Sequence, residues 1–382
     1  MDDLIRTAAE LDAACERVRS QGVLSLDTEF VWRSTYRARL GVVQFGGTDG
    51  CWVLDCLTGT DVSALRELIE DASTVKILHD ARQDLAHLRH YTGAVPRNVF
   101  DTQLAAAFAG FRSGIGLQDL LFEACGIGLA KTETCSDWTA RPLSASQVRY
   151  ALDDVRYLPG LRDELLRRAD ALGTRAWLEE DLRRLDDCAL YGDVDPATAW
   201  LRIRTRHVRL DARSRAILRA VAELRETTAR EWNLPRNWLG DDASLVEMAV
   251  TGGSARLRHR LHGGRGDTLR ALYDGAIARS RALPESECPA DPNRVYIREV
   301  RAAADAALEW LAGRAEELHV DPTVIASRAT VLGFVDDVSD ETNPLASGWR
   351  HETVGREMAE RFGVDYRTCH PGCRTLRIRS AR

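Results

Sequence analysis

Three separated stretches of the chain hold acids at spacings that suit chemistry. In VLSLDTEFVW, residues 23–32, apolar and polar residues alternate as on a β-strand. Leu24, Leu26, Thr28 and Phe30 then share one face while Asp27 and Glu29 stand together on the other. Two neighbouring carboxylates repel, so a cation must neutralise them or one must take up a proton. HDARQDLAHL adds Asp84 on a helical pattern, and YALDD places Tyr150 and Asp154 four residues apart, one turn along a helical face. Gathered in one place, such carboxylates form the oxygen donor set that Mg²⁺ and Mn²⁺ prefer.

The elements that position these residues follow from periodicity. ARLGVVQFGG and CWVLD alternate and are separated by a Gly-rich turn, giving three strands in succession with the first. ALRELIEDA is helical, VKILHD is a short buried strand, ARQDLAHLRHY is helical, and NVFDT is a further strand. Strands followed by alternating helices and strands predict a mixed α/β sheet. From Gln103 to about Arg184 the pattern is helical, with Ser144 as the cap of the helix that carries Tyr150 and Asp154. YGDVDPATAW then breaks the pattern, and short helices with Pro-containing joints follow.

A chain of 382 residues, 45% of them apolar, is expected to form two or three domains. No apolar run approaches the ~18 residues that cross a bilayer, and no signal-like start is present, so a soluble cytoplasmic protein is expected. Nine scattered cysteines argue against a disulfide framework. CHPGC, with Cys369, His370 and Cys373, has metal-binding residue types but lacks a second ligand pair for a structural zinc. The net charge of −6 conceals an asymmetry: residues 1–200 hold 22 basic against 32 acidic residues, residues 201–285 hold 17 against 10. Every positive charge in the middle segment is arginine, whose planar fork suits phosphate.

DTEF, HDARQDLAHL and YALDD, in this order, resemble the three exonuclease motifs of the DEDD superfamily, in the subgroup with Tyr-x-x-x-Asp in the third motif. TYRARLGVVQ, VFDTQLAAAF and SDWTARPLSASQVRYALDDVRYL narrow the likeness to the ribonuclease D family. The segment from DARSRAILRAV to SLVEMA is similar to that family's helicase-and-RNase-D C-terminal (HRDC) domain, and the ending with ASRATVL and SGWR to its second helical domain. The resemblance implies a ribonuclease-H-like mixed-sheet exonuclease domain with a helical linker over residues 1–200, an HRDC domain over 206–286 and an HRDC-like helical domain over 292–382. It implies a metal-dependent 3′→5′ exoribonuclease that releases nucleoside 5′-monophosphates, with two Mg²⁺ or Mn²⁺ ions clamping the scissile phosphate. By the same resemblance Asp27 bridges both ions, Glu29 and Asp154 complete the site of the attacking water, and Asp84 supports the second ion through water. Tyr150, with an ordinary pKa near 10, orients that water rather than acting as a base. The implied partners are RNAs with a single-stranded 3′ end, including tRNA precursors, bound by a monomer.

Around this core, Thr28, Phe30, His79, Lys131 and Arg141 are candidate substrate contacts. Phe30 is weighed as a base-stacking wedge or a core residue, His79 as a structural histidine, and Trp138 and Arg141 of SDWTARP as loop packing or a phosphate contact. Asp101 is another strand-end acid, read as structural. Arg204, Arg206, Arg209, Arg213, Arg256, Arg258 and Arg260 are candidates for salt-sensitive phosphate binding. The carboxylates alone do not read a 2′-hydroxyl, which leaves a 3′→5′ DNA exonuclease as the nearest rival. A non-catalytic RNA-binding protein on a dead nuclease fold is the rival from another class.

Overall fold

The computed structural model describes residues 3–129, 133, 136–205, 208–292 and 296–364. Lys131, Arg206 and the CHPGC segment lie outside the described residues. Helix α1 (Ala8–Gln21) follows strand β1 (Leu4–Ile5), opens on a reciprocal Thr7–Glu10 capping box and stops at Gly22, whose φ of 68° favours a residue without a Cβ. Then come β2 (Val23–Val31), β3 (Arg39–Gly46), β4 (Cys51–Asp55), α2 (Ser63–Glu70), β5 (Val75–Leu78), α3 (Ala81–Thr92), β6 (Val99–Asp101) and α4 (Thr102–Phe108). The six strands form one sheet in the order β1-β4-β3-β2-β5-β6. β3 and β4 are antiparallel, whereas β1 runs parallel to β4, and β2, β5 and β6 run parallel to one another. The mixed sheet predicted from the alternation is therefore present. β1 was not predicted, because two residues carry no periodicity.

The sheet is covered on both faces, as its parallel part requires. Leu24, Leu26, Val43, Phe45 and Leu78 pack with Leu11, Val18, Leu65, Leu68, Leu85 and Leu88 of α1, α2 and α3. Ile77 and Phe100, alternating to the other side, pack with α4 and with α5 (Leu117–Cys125), α7 (Leu158–Leu172) and α8 (Arg175–Arg183). Between α5 and α7, α6 (Ala145–Arg156) begins at the predicted Ser144 cap, where the Gln147 amide N–H donates to Ser144 Oγ at 3.1 Å and the Gln147 side chain returns the bond.

The described residues group into two compact units. The first takes in the sheet, its helices to Tyr191, and the helices beyond residue 295. There Trp349 stacks on Trp177 at 5.2 Å, and Arg350 makes a buried bidentate ion pair with Asp181 of α8, both N···O distances being 2.6 Å. The second unit holds Phe30–Arg39 and the chain from Gly192 to residue 294, built from α9 (Ala212–Glu231), α10 (Arg236–Leu239), α11 (Asp242–Thr251) and α12 (Gly264–Ala282). Within it Tyr36 is buried, its hydroxyl donating to Glu226 and accepting from Arg230 and Arg236 at 2.9 and 3.0 Å. No helix among the described residues is long and apolar enough to cross a membrane.

Candidate active site

The second half of β2 carries the site. β2 lies between β3 and β5, so Asp27 and Glu29 project from an interior strand. Carboxylate oxygens of Asp27, Glu29 and Asp154 lie within 4.8 Å of one another. Asp84, in the first turn of α3, joins them through Thr28, whose hydroxyl donates to the Asp84 carboxylate. Tyr150 lies one turn before Asp154 on α6 and hydrogen-bonds its carboxylate. All four acids and the phenol of the sequence motifs thus reach one neighbourhood, from three elements that are far apart in the chain.

Repulsion among these acids shows in their proton affinities. Burial, and then the charges of Asp84, Asp154 and Glu29, raise Asp27 well above the ordinary carboxylate range. Burial followed by Asp154 and Asp84 pushes Glu29 up to about 8. Asp84 is raised to about 7 by burial, against the Thr28 hydrogen bond, and Asp154 to about 7 by burial and Asp153, against the bond from Tyr150. A pocket of oxygen donors whose charges are mutually unfavourable fits a hard divalent cation: charge, donor type and crowding all point the same way.

The 3′-5′ exonuclease family model matches residues 3–170. Ribonuclease D of Granulibacter bethesdensis is 35% identical over 365 residues, covering 93% of this chain and 91% of that protein. Ribonuclease D of Jannaschia sp. is 35% identical over 376 residues, covering 94% of each. The crystal structure of Escherichia coli RNase D, described as an exoribonuclease involved in structured RNA processing, superposes with a TM-score of 0.81 at 29% identity, over 93% of this chain and 96% of that one. The chain belongs to the ribonuclease D family. It is a 3′→5′ exoribonuclease of the divalent-metal-dependent DEDD type, which sets aside the non-catalytic alternative.

Two candidate substrate contacts of this ribonuclease D-family chain are corrected by the structure. Arg141 commits all five of its N–H donors inside the protein: two to the Asp55 carboxylate at 2.7 Å, and one each to the carbonyls of Trp138, Ala140 and Gly41 at 2.8–2.9 Å. It therefore clamps the SDWTARP loop to β3 and β4 and has no donor left for phosphate. Gly41 permits this approach, since a Cβ there would lie 2.3 Å from the Trp138 carbonyl oxygen. His79 is likewise engaged at both ring nitrogens, Nδ1 with Thr102 Oγ1 at 2.9 Å and Nε2 with the Ile115 carbonyl at 3.0 Å.

Thr28 spends its hydroxyl on Asp84, and Phe30 is half-buried near the end of β2. Trp138 is buried, its ring 6.1 Å from that of Tyr150. Of the basic candidates, Arg213 donates to the carbonyls of Ser280 at 3.0 Å and Leu283 at 2.5 Å. Arg256 pairs with Glu247 at 2.9 Å and Arg258 with Asp241 at 3.8 Å, and both are exposed, as are Arg204, Arg209 and Arg260. One residue escaped the sequence reading altogether. Gln44 of β3 is fully buried and donates its amide to Asp27 Oδ2 at 3.3 Å. A polar residue inside the apolar run VVQF, on the strand next to β2, was the available signal.

Proposed function

We propose that the chain trims single-stranded 3′ ends of structured RNAs, tRNA precursors among them, by hydrolysis at a site holding two Mg²⁺ or Mn²⁺ ions, and releases nucleoside 5′-monophosphates. The observation that carries this is the approach of the Asp27, Glu29 and Asp154 oxygens within 4.8 Å, with Asp84 tied in through Thr28. Asp27, Glu29 and Asp154, with Asp84 beside them, would hold the ions. The ions, when bound, supply Lewis-acid activation of water and charge neutralisation at the scissile phosphate. Tyr150, whose hydroxyl hydrogen-bonds the Asp154 carboxylate, would orient the attacking water beside that acid. Phe30, at the end of the same strand, would meet the terminal base.

An acidic pocket repels a polyanion, so affinity has to come from elsewhere. The segment from 201 to 285, with 17 arginines against 10 acids, would act as an HRDC domain that binds phosphates without reading sequence. Of its described candidate arginines, Arg204, Arg209, Arg256, Arg258 and Arg260 suit this best because they are exposed. Residues 292–382 would form a second HRDC-like domain, and the working enzyme would be a cytoplasmic monomer.

The test compares matched RNA and DNA oligonucleotides, each with a free or blocked 3′ end, in Mn²⁺ and in EDTA. Mononucleotides should appear from RNA with a free 3′ end, in metal only, and Asp27→Asn should abolish them. Equal turnover by Asp27→Asn, or equal attack on blocked ends, would refute the reading.

A further inference from the structure

Helix α3 carries Asp84 but has no cap of its own. Its N-cap residue, Asp80, makes no side-chain capping bond and sits in the left-handed region at φ 58°, ψ 55°, which residues with a Cβ adopt uncommonly. What satisfies the start of α3 comes from another strand. The Asp101 carboxylate, buried at 8% exposure, accepts the backbone N–H of Asp80 on Oδ1 at 3.1 Å and that of Ala81 on Oδ2 at 3.0 Å. Its Oδ1 also accepts the N–H groups of Gln103 and Leu104 at 2.8 and 3.3 Å, capping α4. The β5–β6 register sets this up by pairing Leu78 with Asp101, two residues before the turn at Asp80.

We propose that Asp101 is a positioning residue for Asp84: by receiving the first amides of α3 it fixes where that helix starts, and so where the Asp84 carboxylate lies relative to Asp27. This rests on Asp84 serving as a metal ligand. With Oδ1 taking three backbone N–H groups and Oδ2 a fourth, the Asp101 carboxylate is engaged by the two helix starts, so Asp101 acts through α3. The left-handed turn at Asp80 is held because both amides flanking it have the same acceptor. Without it, α3 is free to relax toward an ordinary start and rotate Asp84 away from the other acids.

Asp101→Asn separates the two duties. An amide retaining its oxygen at the Oδ1 position still caps α4, since Asn serves there as well as Asp, but presents NH₂ to the N–H of Ala81. Asp101→Ser is the second variant, again a competent cap for α4 alone. Mn²⁺ binding to the full-length proteins, followed by electron paramagnetic resonance of free Mn²⁺ with no RNA present, should weaken by about 10-fold to 100-fold in both, as for other supports of metal ligands. As a control, Asp211→Ala removes the cap of α9, made through the Ser214 amide at 2.7 Å, and should lower thermal stability with no change in Mn²⁺ affinity. A folded Asp101→Asn or Asp101→Ser protein that binds Mn²⁺ within twofold of wild type overturns the proposal. Asp84→Asn is the reference: if it too binds like wild type, the metal-site reading itself fails, whereas weakening by Asp84→Asn alone condemns only the role of Asp101.

Discussion

Adding Mn²⁺ to the metal-free protein at pH 7 should release protons in a number that the site geometry sets. Glu29, pushed up to about 8, and Asp84 and Asp154, raised to about 7, all hold protons near neutrality that a bound dication must displace. At pH 7 Glu29 is ~0.9 protonated and each of the two aspartates ~0.5, so saturation should release ~2 protons before any from Asp27. At pH 6 the same three groups give ~3, and by pH 9 almost none. Titration calorimetry in two buffers of different ionisation enthalpy counts them. Release below ~0.5 proton at pH 7, or release that does not fall by pH 9, would refute the claim that mutual repulsion and burial shape this pocket.

The same shifts fix the sign of a stability effect. Carboxylates whose folded pKa is raised stabilise the metal-free fold most below the unfolded value near 4, and that contribution is lost as pH rises through 7 to 8. Thermal midpoints in EDTA should therefore fall between pH 5 and pH 8, with the gain on adding Mn²⁺ growing over that window.

Other residues give sharper local tests. Tyr150→Phe should lower single-turnover cleavage far more than RNA affinity, because it leaves the ion-binding acids in place; unchanged turnover would remove the orienting role. Gln44→Leu should weaken Mn²⁺ binding about 10-fold to 100-fold by releasing Asp27, as read by the same resonance titration. Arg141→Ala should destabilise the fold by about 2 to 4 kcal/mol in urea unfolding, since it strands the buried Asp55 carboxylate, and should leave RNA affinity unchanged in the folded fraction.

Asp84 and the ligand roles rested on the resemblance to the exonuclease motifs, whereas local spacing made the pairs legible, since alternation put Asp27 and Glu29 together on β2 and a helical turn did the same for Tyr150 and Asp154. The helix cap at Ser144 and the central strands were legible for the same reason. What stayed hidden was set by partners distant in the chain. Arg141 stays open between loop packing and a phosphate contact until Asp55, 86 residues earlier, takes its fork. Asp101 reads as structural from the sequence, but its partners, four backbone amides at the starts of α3 and α4, do not show there. The packing of Trp349 and Arg350 onto α8 links residues nearly 170 apart, beyond what any periodicity encodes.

Crystals of the protein soaked in Mn²⁺, with data collected at the manganese edge, put the central claim to its most direct test. Two anomalous peaks enclosed by Asp27, Glu29, Asp84 and Asp154 are the predicted result. A pocket without manganese, in crystals that bind it elsewhere, would contradict the account.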